Sequence, residues 1–305
     1  MVTVTSQRQA LASLERANDV LLTAYLLRPG KMLDALERAA RRGAKVTVRL
    51  EARPYADADH SMRLQTARVV RELRAAGADA RLYHCTNAQP PLHMKALVCD
   101  GTAFLDDRNW PGDGRDTIVR DDYARDVRAI RESVRSARGA AGQFFATSKS
   151  GALRQESRLL YGSAGARTVD VETESFDASP QVYSNLKHLA SEGVHCRLLV
   201  AAHAARARAA HAMAQLQKAG VDVRLSDNDE KVAIVDAARA WVGSANATST
   251  FKYGNQLDWG LRSDSPQLVN ALQRHFDANW KKSAAFAEVT SATRSSGSLS
   301  SSASR

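Results

Sequence analysis

Apolar positions along this chain fall into short strand-like runs and helix-like stretches, and their order is used twice. "VLLTAYLL" (20–27) reads as a buried strand, "KMLDALERAARRG" as an amphipathic helix and "AKVTVRLEA" as a second strand. The same order returns in "VDVETESF" (169–176), "SPQVYSNLKHLASEG" and "VHCRLLVAA". Farther on, "RVVRELRAAGADARLY" (68–83) pairs with "HAMAQLQKAGVDVRLS" (211–226), each a helix stopped by Gly77 or Gly220 before a short strand. Ser179-Pro180 and Ser265-Pro266 predict helix starts, with serine as the cap and proline in the first turn.

Strands alternating with helices predict an α/β sandwich in each half, with the sheet covered on both faces. A length of 305 residues suits two such domains, each able to bury its own core. The first repeat spans residues 1–145 and the second 165–286. Residues 146–164 interrupt the pattern and read as the connection between halves. Residues 287–305 are Ser-rich without apolar period and read as a disordered tail.

The chemistry-bearing residues sit at matching places in the two copies. "HMKALVCDGTAFLDDRNW" aligns with "DEKVAIVDAARAWVGSAN", which sets Lys95 against Lys231, Asp100 against Asp236 and Asn109 against Asn246. Alternate side chains of a strand share a face, so His93 and Lys95 project together while Met94, Ala96 and Val98 pack behind. Asp100 opens a tight Asp-Gly turn on the opposite face, which predicts a structural role for it and for Asp236.

His93-x-Lys95, then Asp100 and Asn109, resembles the His-x-Lys-x4-Asp signature of the phospholipase D superfamily, and Lys231, Asp236 and "GSAN" (243–246) resemble its second copy. The resemblance implies two similar α/β/α sandwich domains, a phospholipase D-like pseudo-dimer, with the active site in the cleft between them. It implies a metal-independent and cofactor-free phosphodiesterase or phosphatidyltransferase. A neutral imidazole, His93, would attack phosphorus and carry a covalent phosphohistidine. Lys95 and Lys231 would supply ammonium donors to the phosphate oxygens, with Asn109, Asn246 and Ser244 supplying amide and hydroxyl donors. Aligning "RDTIVRDD" with "LDWGLRSD" sets Asp116 opposite Asp258. The family commonly holds an acidic residue against the histidine there. Asp116 is the residue expected to orient His93, and Asp258 is placed with the substrate-binding set.

Both copies depart from the signature. The second reads Asp229-Glu230-Lys231, so an aspartate stands where the family has the histidine that protonates the leaving alkoxide. General acid catalysis contributes typically ~10² to 10⁴ in rate. Asp229 either serves as that acid, its pKa set by the surrounding charges, or the step goes unassisted. His84, His203 and His211 are weighed as replacements and read as surface or loop histidines. The first copy has Asp106-Asp107-Arg108-Asn109 in place of Gly-Ser-x-Asn, which sets two carboxylates near the phosphate position. These departures keep open a second function class, a degenerate relative that binds anionic lipid or nucleic acid through a basic cleft, and a third, a nuclease. Trp110 and Trp241 flank the motifs and read as core packing.

Charge and composition add little more. The formal net charge of +10 fits an anionic partner, whether phospholipid, nucleic acid or peripheral contact with an anionic membrane, but the arginines are spread along Ala-rich helices. No obligate protein partner is implied. Cys85, Cys99 and Cys196 form no C-x-x-C pair and read as buried thiols rather than disulfide or zinc ligands. No run of roughly 18 apolar residues and no basic-then-apolar start are found, so the expectation is a soluble, cytoplasmic protein.

Overall fold

The structure, a computed structural model, describes residues 1–54, 60–86, 89–110, 117–205, 207–248 and 256–286. It is a mixed α/β fold with two sheets. The first copy contributes β1 (Val2–Thr5), α1 (Gln7–Leu14), β2 (Asp19–Ala24), α2 (Lys31–Arg41), β3 (Lys45–Glu51), α3 (His60–Ala75), β4 (Asp79–Tyr83), β5 (Lys95–Cys99), β6 (Thr102–Asp106), β7 (Ile118–Asp121) and α4 (Ala124–Ser136). The second contributes β8 (Phe145–Ala146), α5 (Lys149–Tyr161), β9 (Thr168–Thr173), α6 (Gln181–Ser191), β10 (His195–Ala201), α7 (Ala207–Lys218), β11 (Asp222–Ser226), β12 (Val232–Val235), β13 (Arg239–Gly243), β14 (Gly260–Ser263), α8 (Pro266–Lys282) and a short β15 (Ala284–Ala285).

The strand order is β1-β7-β6-β5-β2-β3-β4 in one sheet and β8-β14-β13-β12-β9-β10-β11-β15 in the other, so the two match strand for strand apart from β15. Within each, three parallel strands joined by helical crossovers (β2, β3, β4 and β9, β10, β11) continue into antiparallel hairpins. Helix α2 shows why the elements form where they do. Met32, Leu33, Leu36 and Ala39 recur at helical spacing and are buried, Asp34 lies in the first turn, and Arg38 and Arg41 lie in the last, matching the helix dipole. Gly77 and Gly220 follow α3 and α7 at φ 98° and 94°, a left-handed stop that a side chain would resist.

Residues 146–164 are more than a connection. Strand β8 pairs antiparallel with β14 as β1 pairs with β7, and Ser148 caps α5 as Ser6 caps α1. The segment therefore opens the second copy. Its apolar period is hidden because α5 buries Lys149, Gln155, Glu156 and Ser157 along with its leucines. Ser265 holds the cap position of α8, without a side-chain capping hydrogen bond, and Pro266 follows it, whereas at α6 the cap position is Pro180 itself and the helix begins one residue later than expected. The tail, 287–305, lies outside the described residues.

Three apolar cores follow from this layering. One lies between α1–α3 and the first sheet and includes Trp110; another lies between α5–α7 and the second sheet and includes Trp241. The third joins the halves: Met94, Ala96 and Val98 pack in one cluster with Val232, Ile234, Leu257 and Trp259, with α4 and α8 residues among them. Asp100 and Asp236, at φ 50° and 53°, each turn a hairpin. Each also accepts two backbone amides from the start of the neighbouring strand, Asn18 and Asp19 at 3.1 and 2.9 Å, and Arg167 and Thr168 at 2.8 and 2.9 Å. Their role is structural. Cys99 and Cys196 are buried free thiols, while Cys85 is half-buried. Among the described residues no helix is long and apolar enough to cross a membrane.

Candidate functional site

His93 lies just before β5, where the two halves are stitched together. Leu92 bridges Leu257, the His93 N–H donates to the Leu257 carbonyl at 2.8 Å, and the Leu257 N–H donates to the Pro91 carbonyl at 2.9 Å. The next residue, Asp258, puts Oδ1 2.7 Å from His93 Nδ1. On the other side of the ring, Lys95 Nζ lies 2.9 Å from Nε2. These partners assign the tautomer: Nδ1 carries the proton and donates to the carboxylate, and Nε2 keeps its lone pair and accepts from lysine. Tyr25 meets the imidazole edge-on at 5.1 Å between centroids, with Lys95 Nζ 5.6 Å from its ring centre.

The electrostatics suit an imidazole that stays neutral. Burial pushes the His93 pKa down and the Lys95 charge adds to this, against an opposing pull from Asp258. Burial would raise Asp258, but His93, Lys95 and the Ser244 hydroxyl overcome it and hold the carboxyl at about 2. Lys95 is brought down to about 7, by burial first and by repulsion from Lys231 second. Both lysines are only 2% exposed. A buried ammonium costs several kcal/mol unless matched, so Lys95 is a cation short of an anion.

Across the site, Lys231 Nζ donates to the Asp229 carbonyl at 2.9 Å and lies 3.3 Å from Glu174 Oε2. Asn246 Nδ2 donates to the same Glu174 oxygen at 3.3 Å. Burial alone would raise Glu174, but Lys231, His203, His93 and Lys95 hold it well below the usual carboxylate range. The Asp229 carboxylate forms an ion pair with Arg108 of the first copy. Glu174, His203 and Asp229 bring one donor atom each within 4.8 Å of one another, a span that could hold a metal ion. Lys231 and Arg108 already balance the two carboxylates, so the trio reads as a polar cluster rather than a metal centre.

The sequence-expected set is thus redistributed. His93, Lys95, Lys231 and Asn246 converge, and Asn109 lies half-buried on the β6–β7 segment. Asp258, placed with the substrate-binding set, instead bonds His93 from the opposite copy, and Asp116, expected in that role, lies outside the described residues. Ser244 is not placed to donate to phosphate, because its hydroxyl donates to Asp258 Oδ1 at 2.7 Å and accepts the Trp259 N–H at 3.0 Å. Asp229 is held by Arg108 rather than standing free as an acid. Asp107, at the place of Ser244, accepts the Thr117 N–H at 3.0 Å, so its carboxylate is turned to the backbone.

Glu174 and Tyr25 were missed. They occupy the same place in "VLLTAYLL" and "VDVETESF", one position past the strand, and that equivalence was the available signal. Lys149, buried and acted on by the charges of Asp258 and Asp177, was missed as well.

Residues 161–280 match the family model described as cardiolipin synthase, PLD-like domain. The second copy thus carries a phospholipase D-like domain, and the first copy repeats its strand order. The phosphatidylserine synthase of Haemophilus influenzae Rd KW20 has a similar fold, at a TM-score of 0.68 and 11% identity over 94% of this chain and 88% of that one. The polyphosphate kinase of Porphyromonas gingivalis is similar at a TM-score of 0.59 and 15% identity over 88% of this chain. The chain spans 43% of that kinase's length. At such identities the likeness is one of fold. No curated protein matches this chain by sequence.

Proposed function

We propose that this chain transfers phosphodiesters through a phosphohistidine on His93, as a phospholipase D-like phosphodiesterase or phosphatidyltransferase. One observation carries the reading: an imidazole whose Nδ1 is fixed on Asp258 and whose Nε2 faces Lys95, with Lys231 of the other copy acting on the same space. A phosphate entering there draws the Lys95 ammonium off Nε2 and replaces Glu174 at Lys231 and Asn246. Nε2 then attacks phosphorus, and the P–N bond forms as the bond to the leaving oxygen breaks. Water or an alcohol attacks in the second step, which releases His93 and gives hydrolysis or transfer. Two ammonium groups and the amides of Asn109 and Asn246 supply the charge stabilisation, so the proposed reaction needs no metal.

The family description and the phosphatidylserine synthase neighbour favour a phospholipid substrate over nucleic acid, with peripheral contact at an anionic membrane. A second reading, an anion-binding relative without turnover, is favoured by Glu174, which already occupies Lys231 and Asn246. Bis-p-nitrophenyl phosphate in EDTA separates the two. Turnover by the wild type that His93→Ala abolishes supports the enzyme; no turnover by the wild type supports the binding protein.

A further inference from the structure

The proposed reaction lacks an acid. Asp229 occupies the place of the second signature histidine, and its carboxylate is paired with the Arg108 guanidinium, which leaves it acceptor-only. Glu174 has Lys231 at 3.3 Å and is held ionised, so it has no proton to give either.

An imidazole nevertheless stands at this point. His203 lies on a single 3-10 turn, Ala202–Ala204, directly after β10, with its side chain 63% exposed. Nothing in its local sequence marks it, but the turn carries the ring back over the site. Nε2 comes to ion-pair distance, 3.8 Å, from Glu174 Oε1, and a ring nitrogen lies within 4.8 Å of an Asp229 oxygen. His203 therefore faces the outer oxygen of Glu174 while Lys231 and Asn246 hold the inner one.

We propose that His203 is the general acid of the second half-site, an imidazole recruited from the β10–α7 turn to do the work of the signature histidine that Asp229 replaced. This rests on the phosphodiester-transfer reading above. In the first step the His203 imidazolium gives its proton to the oxygen leaving phosphorus, which departs as an alcohol. In the second, the neutral ring takes the proton of the attacking water or alcohol as the P–N bond to His93 breaks, and both histidines return to their starting state.

The charges around His203 favour the cationic form that an acid needs. Glu174, from the β9–α6 segment, raises its pKa most. Burial, Arg108 from the β6–β7 segment and Lys231 from the start of β12 oppose this, and the net shift is upward. Asp229, also close by, is already matched by Arg108.

The test is a series of methyl aryl phosphodiesters, from the p-nitrophenyl ester, whose leaving group needs little protonation, to the phenyl ester, whose leaving group needs more. His203→Ala is expected to lower phenyl-ester turnover by ~10² to 10⁴ and p-nitrophenyl turnover by at least about tenfold less. Added imidazole should restore part of the phenyl-ester rate. The wild-type basic limb of kcat, set by loss of the acid's proton, should disappear. Because the side chain is on an exposed turn, the melting temperature should match the wild type. Equal losses on both esters, or none, with the wild type active, would overturn the acid role alone. A wild type inactive even on the p-nitrophenyl ester would overturn the phosphodiester reading beneath it. His203→Gln should behave as His203→Ala, and recovery of the phenyl-ester rate by Gln would point to hydrogen bonding and against proton transfer.

Discussion

His93 of the first repeat takes its orientation from Asp258 of the second, Nδ1 to Oδ1 at 2.7 Å, and the adjacent Leu257 carbonyl accepts its backbone N–H at 2.8 Å. The proposed nucleophile and the carboxylate that holds it therefore belong to different copies. This gives the duplication a physical purpose: neither half completes the site alone, and the apolar cluster of Met94, Ala96 and Val98 with Val232 and Ile234 keeps the halves in register.

Asp258→Asn tests that dependence. An amide can donate to Nδ1 as well as accept, so the proton moves to Nε2 and the attacking lone pair is lost. On the analogy of other carboxylate–histidine pairs, kcat should fall by about 10³ to 10⁴. ¹⁵N NMR of His93 should show the tautomer change, with the fold intact.

The pH profile follows from two shifts. His93 must be neutral to attack, and its pKa lies below the ordinary 6.5, so activity persists below pH 6.5 and is lost only as pH falls through the depressed value. Lys95 must be charged to hold phosphate, and in the free enzyme it loses its proton as pH rises through about 7. Hence kcat/KM should fall above about pH 7, while kcat, measured with the anion bound and Lys95 recharged, should hold to higher pH. Lys95→Met should remove that limb along with most of the binding.

Glu174→Gln removes the carboxylate that competes for Lys231 and Asn246. Inorganic phosphate should bind about tenfold more tightly, as calorimetry or inhibition constants would show. The same change should lower the His203 midpoint in an NMR titration, because its largest raising partner is gone.

Glu156 gives a stability prediction away from the site. It is buried on α5, and burial raises its pKa from the ordinary 4.5 to about 8. The folded state therefore binds this proton more tightly than the unfolded chain. The contribution is fully present below about pH 4.5 and is lost as pH rises through about 8, on the order of 5 kcal/mol in all. Relative to wild type, Glu156→Gln should gain stability between pH 5 and pH 8.5, read from urea midpoints.

The repeat, the lysine pair and the turn aspartates were legible in the chain because strand period and Asp-turn chemistry are local. Asp258 was misassigned for a physical reason: aligning the copies sets it opposite Asp116, but the contact that matters crosses between copies instead of joining equivalent positions. Helix α5 was hidden by its buried polar residues. Glu174 and His203 reach the site from loop segments whose paths only the fold determines, and no spacing rule connects them to Lys231.

The most direct measurement is rapid quench of the wild type with bis-p-nitrophenyl phosphate, followed by mass spectrometry under alkaline conditions that preserve P–N bonds. The account predicts an aryl phosphoryl group on His93, lost in acid, formed at a rate that accounts for turnover and absent in His93→Ala. Turnover with no adduct, an adduct on another residue, or undiminished turnover by His93→Ala would contradict it.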